Sequence, residues 1–277
     1  MVKIIADSCC DLSPELIAQF DIEIIPLSVL VNNQSYFDGV ELTPEQLFEA
    51  VKISGELPKT SAPSVAAFAK VFEKYPELIY ISISSKLSAS FQSATIALES
   101  LPNIKGVLID SLNLSTGIGL LVLKAAELSK EGKSLEEIAE TVTSLVPHSN
   151  ASFVIDTLDY LYMGGRCSSM EHVIGSILKI RPVIEVRKDG TLGVREKVSG
   201  SRRKGLAALL ENFNKHKETI DPSRVFITHT VCPEDALYLK SEIEKALDIK
   251  EICITNAGAT IASHCGPNTI GILFLTT

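Results

Sequence analysis

Four short segments of this 277-residue chain gather side chains that could do chemistry. Pro58, Lys59, Thr60, Ser61, Ala62, Pro63 and Ser64 run into a helix that begins near Val65. Hydroxyls and free backbone N–H groups at a helix N-terminus can hold a carboxylate or phosphate. A plain loop with Ser64 as the helix cap accounts for the same residues. Ser84, Ser85, Lys86, Leu87, Ser88, Ala89 and Ser90 follow an apolar strand and open a second helix. Ligands of open α/β sheets bind outside the carboxyl ends of strands, so an anion site there competes with simple capping. Gly164 and Gly165 suit a tight turn that holds Arg166 just beyond it, as a site residue or as a solvated surface charge. His264, in His264-Cys265-Gly266-Pro267-Asn268, sits between a short helix and the last strand. Its ring can serve a site or cap the structure around it.

Other chemistries are poorly supported. There is no GxSxG elbow, no phosphate-binding GxxxxGK[ST] loop and no HExxH. Gly117 and Gly119 lack the third glycine of a dinucleotide fingerprint. The formal net charge is −8, and the basic run Arg202, Arg203, Lys204 is local, which argues against a nucleic-acid partner. None of the six cysteines forms a CxxC pair, and adjacent Cys9 and Cys10 are poorly placed for a disulfide. Reduced thiols and no metal are expected. No stretch approaches the roughly 18 apolar residues of a membrane span, and the first apolar run is cut at Asp7, too early for a signal-peptide core. The expected location is the cytoplasm.

The elements that must position these side chains alternate between strand and helix. Apolar runs at Val2–Asp7, Ile22–Val31, Leu78–Ser84, Gly106–Asp110, Ser152–Asp156, Arg181–Val186, Arg224–His229, Ile252–Asn256 and Ile270–Leu275 read as strands. They are apolar on both faces, as parallel strands covered on both sides should be. Thr43-Pro44-Glu45-Gln46 and Ser134-Leu135-Glu136-Glu137 are capping boxes that start helices. Val65, Phe68, Ala69 and Phe72 keep helical spacing up to Pro76. The expectation is two α/β domains with mainly parallel sheets flanked by helices, divided near Pro147–Asn150 into residues 1–149 and 150–277, with a ligand between or beside them.

Taken in order, the motifs resemble the DegV family over the whole chain. They are Ala6-Asp7-Ser8 with Asp11-Leu12, Pro26-Leu27, Phe37-Asp38-Gly39, Thr60 to Ser64, Ser84 to Ser88, Ile109-Asp110-Ser111, Gly164-Gly165-Arg166 and His264 to Pro267. Two departures stand out. The family pattern Gly-Thr-Tyr after Ser88 is here Ala89-Ser90-Phe91, and Gly-Pro-Gly is here Gly266-Pro267-Asn268.

The resemblance implies a protein that binds one long-chain fatty acid, such as palmitate, stearate or oleate, and needs no cofactor. It implies a lipid-carrying subunit of a bacterial fatty-acid kinase system, without catalysis of its own. An ATP-dependent kinase partner phosphorylates the bound carboxylate, and an acyltransferase of phospholipid synthesis is a further candidate partner. Carried over by position, Thr60, Ser61, Ser85, Ser88 and His264 are expected at the carboxylate, and Arg166 and Arg202 at the head group or the kinase interface. Two alternatives remain. One is a serine hydrolase of acyl esters using Ser88 or Ser61 with His264; the other is a regulatory protein for which lipid is only a stabiliser.

Overall fold

A strand buried on both faces needs apolar side chains in both directions, and β1 (Lys3–Asp7) supplies them by alternation. Ile4 and Ala6 enter one core while Ile5 enters another. In the computed structural model, which describes residues 1–166 and 180–277, β1 lies between β2 (Glu23–Ile25) and β6 (Glu77–Ser82), with β7 (Lys105–Asp110) beyond. These four strands form a parallel sheet. Helices α3 (Val65–Phe72) and α4 (Ser90–Glu99) cover one face through Phe68, Phe72, Ala94 and Ala97.

The other face is covered by α5 (Thr116–Lys130), whose turns are buried almost throughout. A surface helix would show one narrow apolar stripe; α5 is apolar over most of its circumference because it also packs on the next sheet, and Lys124, Glu127 and Lys130 keep only one polar strip. Gly119 permits that depth, since a Cβ there would stand 2.9 Å from the Cys10 carbonyl oxygen. The next sheet has six strands: β8 (Ser149–Val154), β9 (Ile180–Val186), β10 (Leu192–Ser199), β11 (Ile220–His229), β12 (Ile252–Asn256) and β13 (Ile270–Thr276), in the order β10-β9-β8-β13-β11-β12. Phe153, Phe226 and Leu273 face α5, while Val154, Ile227 and Phe274 face the outer helices α8 (Arg202–Lys215) and α9 (Pro233–Ala246).

The α/β class therefore holds, but the parallel arrangement is confined to the first sheet. In the second only β11 and β12 run parallel; the other four pairings are antiparallel. A strand buried on both faces loses its alternation whichever way its neighbours run, so apolarity could not reveal direction. Ile22–Val31 also divides. Pro26, which has no N–H to give a ladder, separates β2 from β3 (Ser28–Val31). Strand β3 pairs with β4 (Gln34–Phe37) and β5 (Lys59–Ser61) in a small antiparallel sheet. Both capping boxes form, at α2 (Pro44–Ser54) and α6 (Leu135–Leu145).

That small sheet receives α10 (Ala259–Cys265), which comes from the far end of the chain. Ala259 and Ala262 join Val29, Val31, Leu42 and Leu47 in one cluster. Two alanines, one turn apart, let the helix backbone approach β3 closely. This contact carries the functional groups together.

Candidate functional site

Strand β5 alternates, so Thr60 turns inward while Lys59 and Ser61 are exposed. Opposite Thr60 lies the last turn of α10, and Thr60 Oγ1 is 2.7 Å from His264 Nε2. The other ring nitrogen, His264 Nδ1, is buried without a hydrogen-bond partner. It faces the backbone of Gly164, where an added Cβ would come within 2.2 Å of it. An orphaned buried N–H is costlier than an under-used acceptor, so the ring proton belongs on Nε2. Nε2–H then donates to Thr60 Oγ1, and the threonine O–H is free to point elsewhere.

Gly164 is held by the end of α7 (Asp159–Met163). The N–H of Arg166 donates to the Leu161 carbonyl at 3.1 Å, and that of Gly165, at φ 69°, donates to Tyr162 at 2.9 Å. This is a Schellman termination, with glycine at the left-handed position. It delivers Arg166 to the site, where Nε donates to the Leu87 carbonyl (3.1 Å) and Nη1 to the Gly164 carbonyl (2.6 Å). The serine loop at the end of β6 supplies the last polar wall. Ser88 Oγ lies 2.9 Å from Ser90 Oγ and accepts the Ser90 N–H.

Thr60, Ser88, Arg166 and His264 all line one cavity of about 260 Å³. The rest of its wall is mainly apolar: Leu27, Ile83, Leu114, Leu161, Leu192 and Ile261 contribute. Burial, with the Arg166 charge adding to it, pulls the His264 pKa down from 6.5 to about 4, so the ring is neutral at physiological pH. The cavity thus offers hydroxyl donors and one guanidinium around an apolar space, which fits an anionic head on a hydrocarbon tail.

Three expected residues stand elsewhere. Ser61 faces away from Thr60 by strand alternation. Ser85 is exposed, and its N–H donates to Asp110 at 3.1 Å. Arg202 lies in α8, outside the cavity wall, where Nε bonds Asp235 at 2.8 Å and Nη1 bonds Asp156 at 3.3 Å. Those carboxylates explain how a cation is tolerated at a helix start. The apolar lining was missed because Leu114, Leu161 and Leu192 belong to separate segments and carry no local motif, and the Pro26-Leu27 motif does not reveal where Leu27 points.

Among the described residues, the pairing of Ser88 or Ser61 with His264 that a serine hydrolase needs is not formed. His264 is bonded to Thr60, while Ser88 is bonded to Ser90. Nor does the Thr60–His264 pair resemble an activated nucleophile. Its Nδ1 meets Gly164 instead of an orienting carboxylate, and a pKa near 4 makes a weak base at neutral pH.

A family profile described as "Uncharacterised protein, DegV family" matches residues 1–277. The chain belongs to the DegV family. A DegV domain-containing protein of Clostridium acetobutylicum is 33% identical over 288 residues, spanning 99% of this chain and 98% of its own. A fatty-acid-binding DegV family protein from Thermus thermophilus has the same fold, with a TM-score of 0.90 at 28% identity, covering 100% of this chain and 99% of its own. The Streptococcus pneumoniae fatty acid kinase (Fak) B3 protein, loaded with linoleic acid, gives a TM-score of 0.89 at 26% identity, covering 100% of both chains.

Both departures from the DegV pattern are accommodated. Ser90 is buried and keeps a hydroxyl against Ser88. Asn268 takes φ 57°, the conformation glycine would take more easily, and its Nδ2 donates to Asp156 at 3.1 Å. Among the described residues, no group of His, Cys, Asp and Glu side chains could hold a metal ion, and no helix is long and apolar enough to cross a membrane. Cys9, Cys10, Cys232, Cys253 and Cys265 are free thiols; Cys167 lies outside the described residues.

Proposed function

We propose that this chain binds one long-chain fatty acid, shelters its acyl chain, and presents the carboxylate to an ATP-dependent kinase partner. The observation that carries this reading is the apolar cavity whose polar wall gathers Thr60, Ser88, His264 and Arg166. Burying each methylene contributes about 0.8 kcal/mol, so a sixteen-carbon chain supplies on the order of 10 kcal/mol before association costs. The carboxylate would accept from Thr60 and Ser88, with Arg166 balancing its charge. The chain performs no chemistry itself in this scheme. The kinase makes the acyl phosphate, which an acyltransferase of phospholipid synthesis can consume. Fatty-acid binding by the Thermus thermophilus relative and the linoleic acid on the Streptococcus pneumoniae Fak B3 protein support the reading.

The test is denaturing extraction and mass spectrometry of the purified protein. We expect palmitate, stearate or oleate in about one-to-one amount. Finding no acyl chain, together with no binding of added palmitate or oleate, would remove the proposal.

A further inference from the structure

The motif residues Asp11 and Asp38 take no part in the acyl cavity. They line a separate cleft of about 510 Å³ that shares no wall residue with it. Leu12, Ile17, Ile22 and Ile24, on α1 (Pro14–Phe20) and the segments beside it, make much of the cleft wall apolar. Val40 stands exposed at its rim. Both aspartates are buried in the wall, Asp38 at 1% exposure and Asp11 at 6%.

Their hydrogen bonds are unequal. Asp11 Oδ1 accepts the Gly258 N–H at 2.7 Å, and Oδ2 accepts from Ser115 at 2.6 Å. Asp38 Oδ2 accepts from Ser8 at 2.8 Å, but Oδ1 has no partner. Ser8 cannot supply one, because its single hydrogen is committed to Oδ2 and its oxygen accepts the Leu27 N–H at 3.1 Å. The orphaned oxygen stands beside Asp11. A Cβ added to Gly258, itself part of the cleft wall, would lie 2.8 Å from Asp38 Oδ1 and 3.2 Å from Asp11 Oδ1. Among the described residues, no Lys, Arg or His lines the cleft or pairs with either carboxylate. A buried carboxylate without a cation is costly in its charged form, and burial raises the Asp11 carboxyl well above the usual range.

A metal ion fits these groups poorly. Asp7, the third carboxylate nearby, is bonded elsewhere: Oδ1 accepts the Cys9 N–H, and Oδ2 accepts from the Tyr80 hydroxyl and the Ile83 N–H. Two carboxylates beside an apolar wall fall short of the roughly six to eight oxygens that a calcium ion takes. An organic cation matches both parts of the wall, since its N–H groups suit carboxylate oxygens and its hydrocarbon suits the isoleucines.

We infer that this cleft is a second binding site, for a small organic cation that carries an ammonium or guanidinium group on a short apolar arm. The cation donates to Asp38 Oδ1 and to the remaining lone pair of Asp11 Oδ1, and the arm lies against Leu12, Ile17 and Ile22. The site stands independently of the fatty-acid reading, because the two cavities have no residue in common.

Calorimetric titration of the purified protein with n-butylammonium, n-butylguanidinium and 1-butanol, at an ionic strength fixed with sodium chloride, tests this. At least one of the cations should bind about tenfold or more tightly than the alcohol. Asp38→Asn keeps the shape of the side chain, removes its charge and should abolish that margin. Asp11→Asn is the second variant, and melting curves identify which of the two folds. The wild-type comparison decides by itself if neither does. Alcohol that binds as tightly as both cations, or a margin that survives in a folded variant, would overturn the site. Tighter binding of magnesium or calcium than of either organic cation would overturn it in favour of a metal.

Discussion

His264 is a buried imidazole that stays neutral at physiological pH. Its Nε2–H turns Thr60 into a donor, because the threonine hydrogen can no longer point at the ring. Thr60→Val should therefore weaken the free acid by about one to two powers of ten, the loss of one hydrogen bond to a charged group. The methyl ester should lose much less. Ser88→Ala should act in the same sense. Equal weakening of acid and ester, with a lowered melting temperature, would instead mark these hydroxyls as structural. The pH dependence has a definite sign. The His264 pKa falls from 6.5 to about 4 on folding, so the unfolded chain takes up its proton first. Stability from this group is complete above pH 6.5 and declines as pH drops towards 4, by up to about 3 kcal/mol. His264→Gln should remove that slope when urea unfolding is compared at pH 7 and pH 4.5. Asp7 works in the opposite direction: burial raises its carboxyl from 3.8 to about 6, so its contribution falls as pH rises between those values. The difference between wild type and variant isolates the histidine.

Helix ends do much of the positioning. The termination of α7 uses two glycines for different reasons, and substitution separates them. An alanine at Gly164 would place its Cβ 2.2 Å from His264 Nδ1, so the ring must move and its bond to Thr60 must break. Gly164→Ala should cost about 1–3 kcal/mol of stability and weaken acid binding. Gly165 has φ 69° and nothing within 4 Å of an added Cβ. Gly165→Ala should cost about 1–2 kcal/mol through backbone strain, with acid affinity nearly unchanged. Titration calorimetry beside thermal melts distinguishes the two. At the start of α8, Arg202→Ala removes one partner of Asp156, which keeps Arg181, and the partner of Asp235, and should cost at most about 1 kcal/mol. The same variant tests the kinase-docking role that the family resemblance implies: phosphorylation slowed while acid binding stays intact would support it.

At the scale of the molecule, one core runs across the proposed division into residues 1–149 and 150–277. The cluster containing Ile4, Ile79 and Leu121 also contains Phe153, Ile184 and Leu273. Polar contacts cross it as well: Thr60 with His264, Asp11 with the Gly258 N–H at 2.7 Å, and Ser84 with the Gly190 carbonyl at 2.8 Å. Two units joined by that much buried surface should unfold together. Calorimetry is expected to show one cooperative transition, and two resolved transitions would mean the halves fold independently. A saturating fatty acid should raise the transition, since ligand at a hundred times its dissociation constant adds about 2.7 kcal/mol.

Features that depend on neighbouring residues were legible in the chain. The capping boxes at Thr43 and Ser134, the glycine turn before Arg166, and the αβ alternation each express backbone chemistry within a few positions. So did the hydroxyl-rich segments, because a motif need not know its partner to be recognised. What the chain could not disclose was decided at long range. The direction of the second sheet depends on which strands meet, and strands buried on both faces look the same either way. Thr60 and Ser88 line the cavity while Ser61 and Ser85 do not, a difference set by which side of each backbone faces it. His264 meets Thr60 across 204 residues of sequence only because α10 packs its alanines on β3. Local periodicity records how a residue is turned relative to its neighbours, whereas the partner it meets is set by the burial of apolar surface throughout the fold.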